Sequence, residues 1–130
     1  MGRVDGGQEA AAVVDAFIEA YNAKNLEALS SLFAEAVRLV HYGRDIDLTG
    51  RADVLGMFER SAHGAFPDRR FHSRRRRIVD GDHVVIEQVW EAKATTDVPN
   101  LANAGGAVRM DLCTIFTVRD SRIVAYDEYG

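Results

Sequence analysis

Apolar side chains recur every third or fourth residue up to about Pro67 and every second residue beyond it, and this change of period constrains the fold more than any other feature. In residues 8–24, Val13, Phe17, Ala20 and Tyr21, widened by Val14 and Ile18, form one helical stripe. Asn25 suits the N-cap of a second, shorter helix carrying Leu26, Leu29, Leu32 and Phe33. Residues 37–42 alternate as a strand closed by a turn at Gly43. Thr49 and Gly50 open a third helix with Val54, Leu55 and Phe58 on its buried side, and Pro67 follows its end. Four strands follow, at 70–79, 83–95, 107–119 and 122–129, with turns at Asp80-Gly81-Asp82 and Asp120-Ser121. Between the middle pair, residues 96–106 (TDVPNLANAGG) have no period and read as a long mobile hairpin loop. Helices first and strands afterwards predict an α+β fold with helices on one face of an antiparallel sheet.

A length of 130 residues predicts one domain over 8–130, preceded by a flexible lead at 1–7. An apolar fraction of 47% is enough for a real core. The net charge of -4 is spread along the chain and gives no general attraction to phosphate backbones or anionic lipid. Cys113 is the single cysteine, so no internal disulfide forms, which fits a reducing compartment. The opening MGRVDGGQEA lacks a secretory apolar stretch, and the expectation is a cytoplasmic protein with no membrane partner. The run Arg74–Arg77 invites a nucleic-acid reading, but in a strand its side chains alternate between faces, and Glu87 and Glu91 offer cross-strand partners. Nucleic acid is therefore not expected. The histidines lack metal spacing, and GRADVLG opens a helix without a P-loop lysine, so neither a metal site nor a cofactor is expected.

Strand alternation assigns faces. Val108, Met110, Leu112, Thr114, Phe116 and Val118 face the helices, as do Val84, Ile86, Gln88, Trp90 and Ala92. Val85, Val89 and Ile115 lie outside among charges and predict a homodimer through the outer sheet face. In the last strand either Val124, Tyr126 and Glu128 point inward, or Ile123, Ala125, Asp127 and Tyr129 do.

The succession LFAEAVRLVHYG, then LTG opening a helix, then FPDRRF, a strand ending in VW and finally TIFTVRDSRIVAYDEY resembles the SnoaL-like proteins of the nuclear transport factor 2-like superfamily. That superfamily also holds ketosteroid isomerases, limonene epoxide hydrolases and scytalone dehydratases. The resemblance implies a cone-shaped, curved mixed or antiparallel sheet wrapped around three helices, a cystatin-like α+β barrel. A homodimer and a pocket between helices and sheet come with it. On this resemblance the general-base aspartate of ketosteroid isomerases falls on His41 and their oxyanion tyrosine on Phe17. Their protonated aspartate falls on or near Thr114. The acidic residue of polyketide cyclases and epoxide hydrolases falls on Glu128, which favours Val124, Tyr126 and Glu128 as the inward set. The arginine and aspartate that assist it in the epoxide hydrolases fall on Gln88 and Trp90.

The candidate catalytic residues are thus Glu128 and His41. A carboxyl in an apolar pocket keeps its proton to higher pH and can exchange it near neutrality, and imidazole titrates there already. The plain alternatives are a solvated Glu128 at the strand end and a hydrogen-bonded structural His41. Tyr21, Tyr126, Gln88 and Thr114 are candidate partners for substrate oxygens, and Phe17, Met57, Trp90 and Met110 a candidate apolar wall; ordinary core packing is the alternative for each. The expected function is cofactor-independent acid/base chemistry (cyclase, isomerase or hydrolase type) on a small hydrophobic, polyketide- or terpenoid-like ligand. The alternative is a non-catalytic ligand-binding or dimerisation module of the same fold.

Overall fold

Helix α1 (Gly6–Asn22) forms because its apolar stripe has a core to meet: Ala10, Val13, Val14, Phe17, Ala20 and Tyr21 are all buried. The computed structural model describes residues 6–130. Gly6 and Gly7 join the helix instead of the expected lead, whose remaining residues lie outside the described ones. Helix α2 (Leu26–Leu32) begins as expected, with the Asn25 side chain accepting the Ala28 N–H at 3.1 Å. Phe33 is not part of it. It starts strand β1 (Phe33–His41), four residues before the expected strand, and is fully buried there.

A 3-10 turn (Tyr42–Arg44) leads into strand β2 (Ile46–Thr49), which the sequence reading left out. Four residues are too few to show a period, and β2 is held as an edge by pairing with β1 and by the Arg38–Asp47 fork. Helix α3 (Arg51–His63) follows from Gly50, and β3 (Arg70–Asp80), β4 (His83–Lys93), β5 (Ala107–Arg119) and β6 (Arg122–Tyr129) complete the chain. The six strands run β2-β1-β6-β5-β4-β3 in one curved, unclosed sheet. All neighbours are antiparallel except β1 and β6, so the sheet is mixed, and it remains open between edges β2 and β3.

The expected inward faces of β4 and β5 hold, with Ile86, Gln88, Trp90, Leu112, Thr114 and Phe116 all buried, but Val89, expected to be exposed on the outer face, is fully buried as well and offers no surface for a dimer. Neither expected pattern for β6 holds throughout. The pairing steps from Val118↔Ile123 to Thr117↔Ala125, so Val124 is an inserted residue. Ile123 on one side of it and Tyr126 and Glu128 on the other all reach the core. A second irregularity, between His72 and Arg76, splits the arginine run. Arg74 and Arg77 both bind Asp15 of α1, while Arg75 pairs with Asp111 and Arg76 with Glu87. Glu91, the other expected partner, instead meets His72 and Arg109.

Residues 96–106 fold back on themselves. Val98 and Ala102 bridge, and Asp97 accepts the Ala104 N–H. None of the described helices is long and apolar enough to cross a membrane.

Candidate active site

Two registers put the polar centre together. Glu128 of β6 lies opposite His41 of β1 and opposite Thr114 of β5, so one row across the sheet carries all three. Tyr126 joins them because it sits two residues before Glu128, on the same face. Thr114 Oγ1 donates to Glu128 Oε2 at 2.9 Å and the Tyr126 hydroxyl donates to the same oxygen at 3.0 Å. His41 Nδ1 stands 3.4 Å from the other oxygen, Oε1.

Both acid/base groups are perturbed by burial. The Glu128 carboxyl is held above its ordinary 4.5 by desolvation, against the pull of its two hydroxyl donors. His41 is held below its ordinary 6.5, first by desolvation and then by the Arg44 charge, with a Gly130 backbone hydrogen bond opposing. The acid's value rises while the imidazole's falls, so the proton preference between the pair narrows. Burial also lifts the Tyr126 phenol well above 10.

Above this row lies a cavity of about 210 Å³. Of the residues read from sequence, Tyr21, His41, Met57, Trp90, Met110, Tyr126 and Glu128 line it. Three do not. Phe17 is fully buried behind the wall, its ring 5.5–6.3 Å from those of Tyr21, Phe33, Phe58, Phe71, Phe116 and Tyr126. It is core, not ligand wall. Thr114 is spent on Glu128. Gln88 is buried outside the lining, with Nε2 lacking a partner among the described residues.

Other residues emerge only in three dimensions. Leu39, Phe58, Phe66, Phe71 and Leu112 complete the apolar wall, and Val98 and Leu101 bring the folded loop over it. Arg44 and Ser61 add polar groups. Arg69 lies behind Tyr21, 1% exposed, with its guanidinium carbon 3.6 Å from the ring centroid. It donates to the carbonyls of Tyr21 and Phe58, and its charge meets no carboxylate among the described residues. Period two did carry this signal, since Arg69 is two residues before inward Phe71. The Tyr21 hydroxyl accepts the Trp90 indole N–H at 2.8 Å, and its value is pushed up to about 12 by burial, which Arg69 and the indole bond moderate. No cluster of three metal-ligating side chains occurs among the described residues.

This curved open sheet around helices is the nuclear transport factor 2-like fold. Within that class the chain belongs to the SnoaL-like domain family, whose profile matches residues 14–126. Solved structures agree on the fold. A proposed polyketide cyclase from Xanthomonas campestris pv. campestris superposes with a TM-score of 0.84 at 22% identity, over 97% of this chain and 93% of that one. An LEH-like epoxide hydrolase from M. tuberculosis gives 0.77 at 20% identity, over 98% and 81%. A proposed ketosteroid isomerase from Kribbella flavida gives 0.73 at 17% identity, over 96% and 79%. No curated protein matches the chain.

Proposed function

We propose that the cavity is the active site of a cofactor-independent acid/base enzyme acting on a small hydrophobic, oxygenated molecule. One observation carries this reading: a carboxylate buried in an apolar cavity, with one oxygen fixed by two hydroxyls and the other directed at an imidazole. A purely structural glutamate gains nothing from such desolvation. A proton-transfer group gains a value nearer working pH and an orientation fixed before substrate arrives.

In this reading Glu128 moves the proton through Oε1, because Oε2 is held by its donors. His41 is the second base or relay, Tyr21 stands beside substrate oxygens with its phenolic proton, and Tyr126 holds Glu128 in place. Trp90, Met57 and Met110 hold the apolar body. The volume bounds the substrate, since a cavity of about 150 Å³ accepts benzene. At about 210 Å³ this one suits a one- or two-ring ligand rather than a four-ring polyketide. Cyclisation, isomerisation and epoxide opening, the last two being the chemistries of the Kribbella and M. tuberculosis neighbours as described, share the proton transfer that Glu128 would perform.

The test is a panel of one- and two-ring ketones and epoxides. Deuterium exchange next to the carbonyl is followed by NMR, and epoxide opening by chromatography. The expected result is catalysis by the wild type that falls about 10²- to 10⁴-fold in Glu128→Gln, the range for loss of a general acid or base. Ligand-induced thermal stabilisation in both proteins, with exchange and opening at the solvent rate in both, would establish the non-catalytic binding module instead.

A further inference from the structure

The polar groups of the cavity are unequally used. Glu128 spends Oε2 on two donors and turns Oε1 to His41. The Tyr21 oxygen receives the indole proton of Trp90, which leaves the phenolic proton without an acceptor among the described residues. Ser61, from α3, lines the cavity with a hydroxyl that likewise has no partner there. Arg44, half-buried at the end of the 3-10 turn, brings a guanidinium to the lining.

Arg44 is the informative one. Two aspartates lie within three residues of it, yet neither is its partner. Asp47 is forked to Arg38, with bonds of 3.1 and 2.9 Å, and Asp45 makes no ion pair with it. Arg38, Arg74–Arg77, Arg109 and Arg119 each meet a carboxylate within 4.0 Å. Arg44 joins none of them; Arg51, Arg60, Arg69, Arg70 and Arg122 also lack a carboxylate partner among the described residues, but of the described arginines only Arg44 borders this apolar hollow. Apart from the buried His41 Nε2, which has no partner among the described residues, the spare hydrogen-bonding groups of the lining are therefore donors, one of them cationic. A complementary ligand brings acceptor oxygens and a negative charge, and the planar guanidinium fork matches a carboxylate in both respects.

We propose that Arg44 is the residue that recognises the head group of the ligand, and that this ligand is a carboxylic acid carried on a one- or two-ring apolar body. The inference rests on the cavity being the ligand site, as in the reading above, but not on any reaction occurring there. The carboxylate pairs with Arg44, and the ring body lies against Trp90, Met57 and Leu101.

The experiment titrates the full chain with phenylacetate, cyclohexylacetate and 1-naphthylacetate, each against the matching alcohol, by calorimetry and thermal shift. Wild type, Arg44→Met and Arg44→Lys are compared. The expected wild-type preference for acid over alcohol is about 10- to 100-fold, the range of a charge-assisted hydrogen bond. Arg44→Met should abolish that preference and leave alcohol affinity in place, while Arg44→Lys should keep part of it. An unchanged melting temperature of the ligand-free variants separates lost recognition from lost folding. Equal affinity for acid and alcohol, binding of neither to the wild type, or a preference that survives Arg44→Met would each overturn the proposal. A wild type that selects acids but turns over none of the ketones and epoxides would sink the catalytic reading alone.

Discussion

Glu128 and His41 impose opposite pH dependences on stability. The Glu128 carboxyl titrates higher in the folded chain than at its ordinary 4.5, so between the two values the folded state holds the extra proton. Its contribution is complete below 4.5 and is lost as pH rises through the folded value. His41 titrates below its ordinary 6.5 in the folded chain, so its contribution is complete above 6.5 and is lost as pH falls through the folded value. Glu128→Gln removes only the first effect. Urea unfolding at pH 4, 6 and 8 should show the variant gaining on wild type as pH rises from 4.5, then levelling off. The gain is about 1.4 kcal/mol for each pH unit separating the folded and unfolded values. A difference independent of pH would show that the buried carboxyl is not the titrating group. Glu128 is legible in the sequence because the resemblance favours one face of β6, and Tyr126 and Glu128 are buried on that face. Phe17 was misread as wall for a geometric reason. It shares a stripe with Tyr21, and a buried stripe spans a wide arc that meets both core and cavity. Only coordinates divide that arc, and the division falls between two residues one helical turn apart.

At the scale of elements, long periodic segments were readable and short or irregular ones were not. Helices α1 and α2 and the strands β4, β5 and β6 have enough residues to express a period, and their expected bounds lie within two residues of those observed. β2 is four residues long and exists because β1 offers it an edge, which is tertiary information. The inserted Val124 defeats any strict alternation, since one extra residue exchanges the faces on either side of it. The segment 96–106 lacks a period and was expected to be a mobile connection. Instead its Val98–Ala102 bridge and the Asp97–Ala104 bond fold it so that Val98 and Leu101 meet the cavity. This gives the loop a function that can be measured. Val98→Ser with Leu101→Ser removes two apolar contacts from the cavity while leaving the backbone bridge available. Ring-bearing ligands should bind about tenfold more weakly, and the urea midpoint should change little, because the loop lies outside the sheet. Unchanged affinity would mean that the loop merely passes over the cavity.

The whole molecule divides its two faces between different tasks. The concave side holds the helices and the cavity, whereas on the convex side one row runs through Ile78, Val85 and Ile115 before reaching Asp127 of β6. Ile78 is 49% exposed, and its neighbours in the row are half-buried, so apolar surface remains there after folding. The adjacent row, Arg76, Glu87 and Cys113, is polar and internally paired through Arg76–Glu87. An apolar centre with a paired polar border is the composition of a subunit interface, not of a surface selected only for solubility. We therefore expect a homodimer through this face, with a sedimentation mass near twice 14.4 kDa at micromolar concentration. Ile78→Glu combined with Val85→Glu sets like charges directly opposite each other across β3 and β4 and again across the interface. The double variant should sediment as a monomer and lose part of its thermal stability, because mass action no longer favours the folded dimer. Its cavity lies on the other side of the sheet and is lined by residues of one chain, so acid binding should persist in the monomer. Wild type sedimenting as a monomer would refute the interface. A monomeric variant that no longer binds acids would show instead that the cavity depends on its neighbour for its shape.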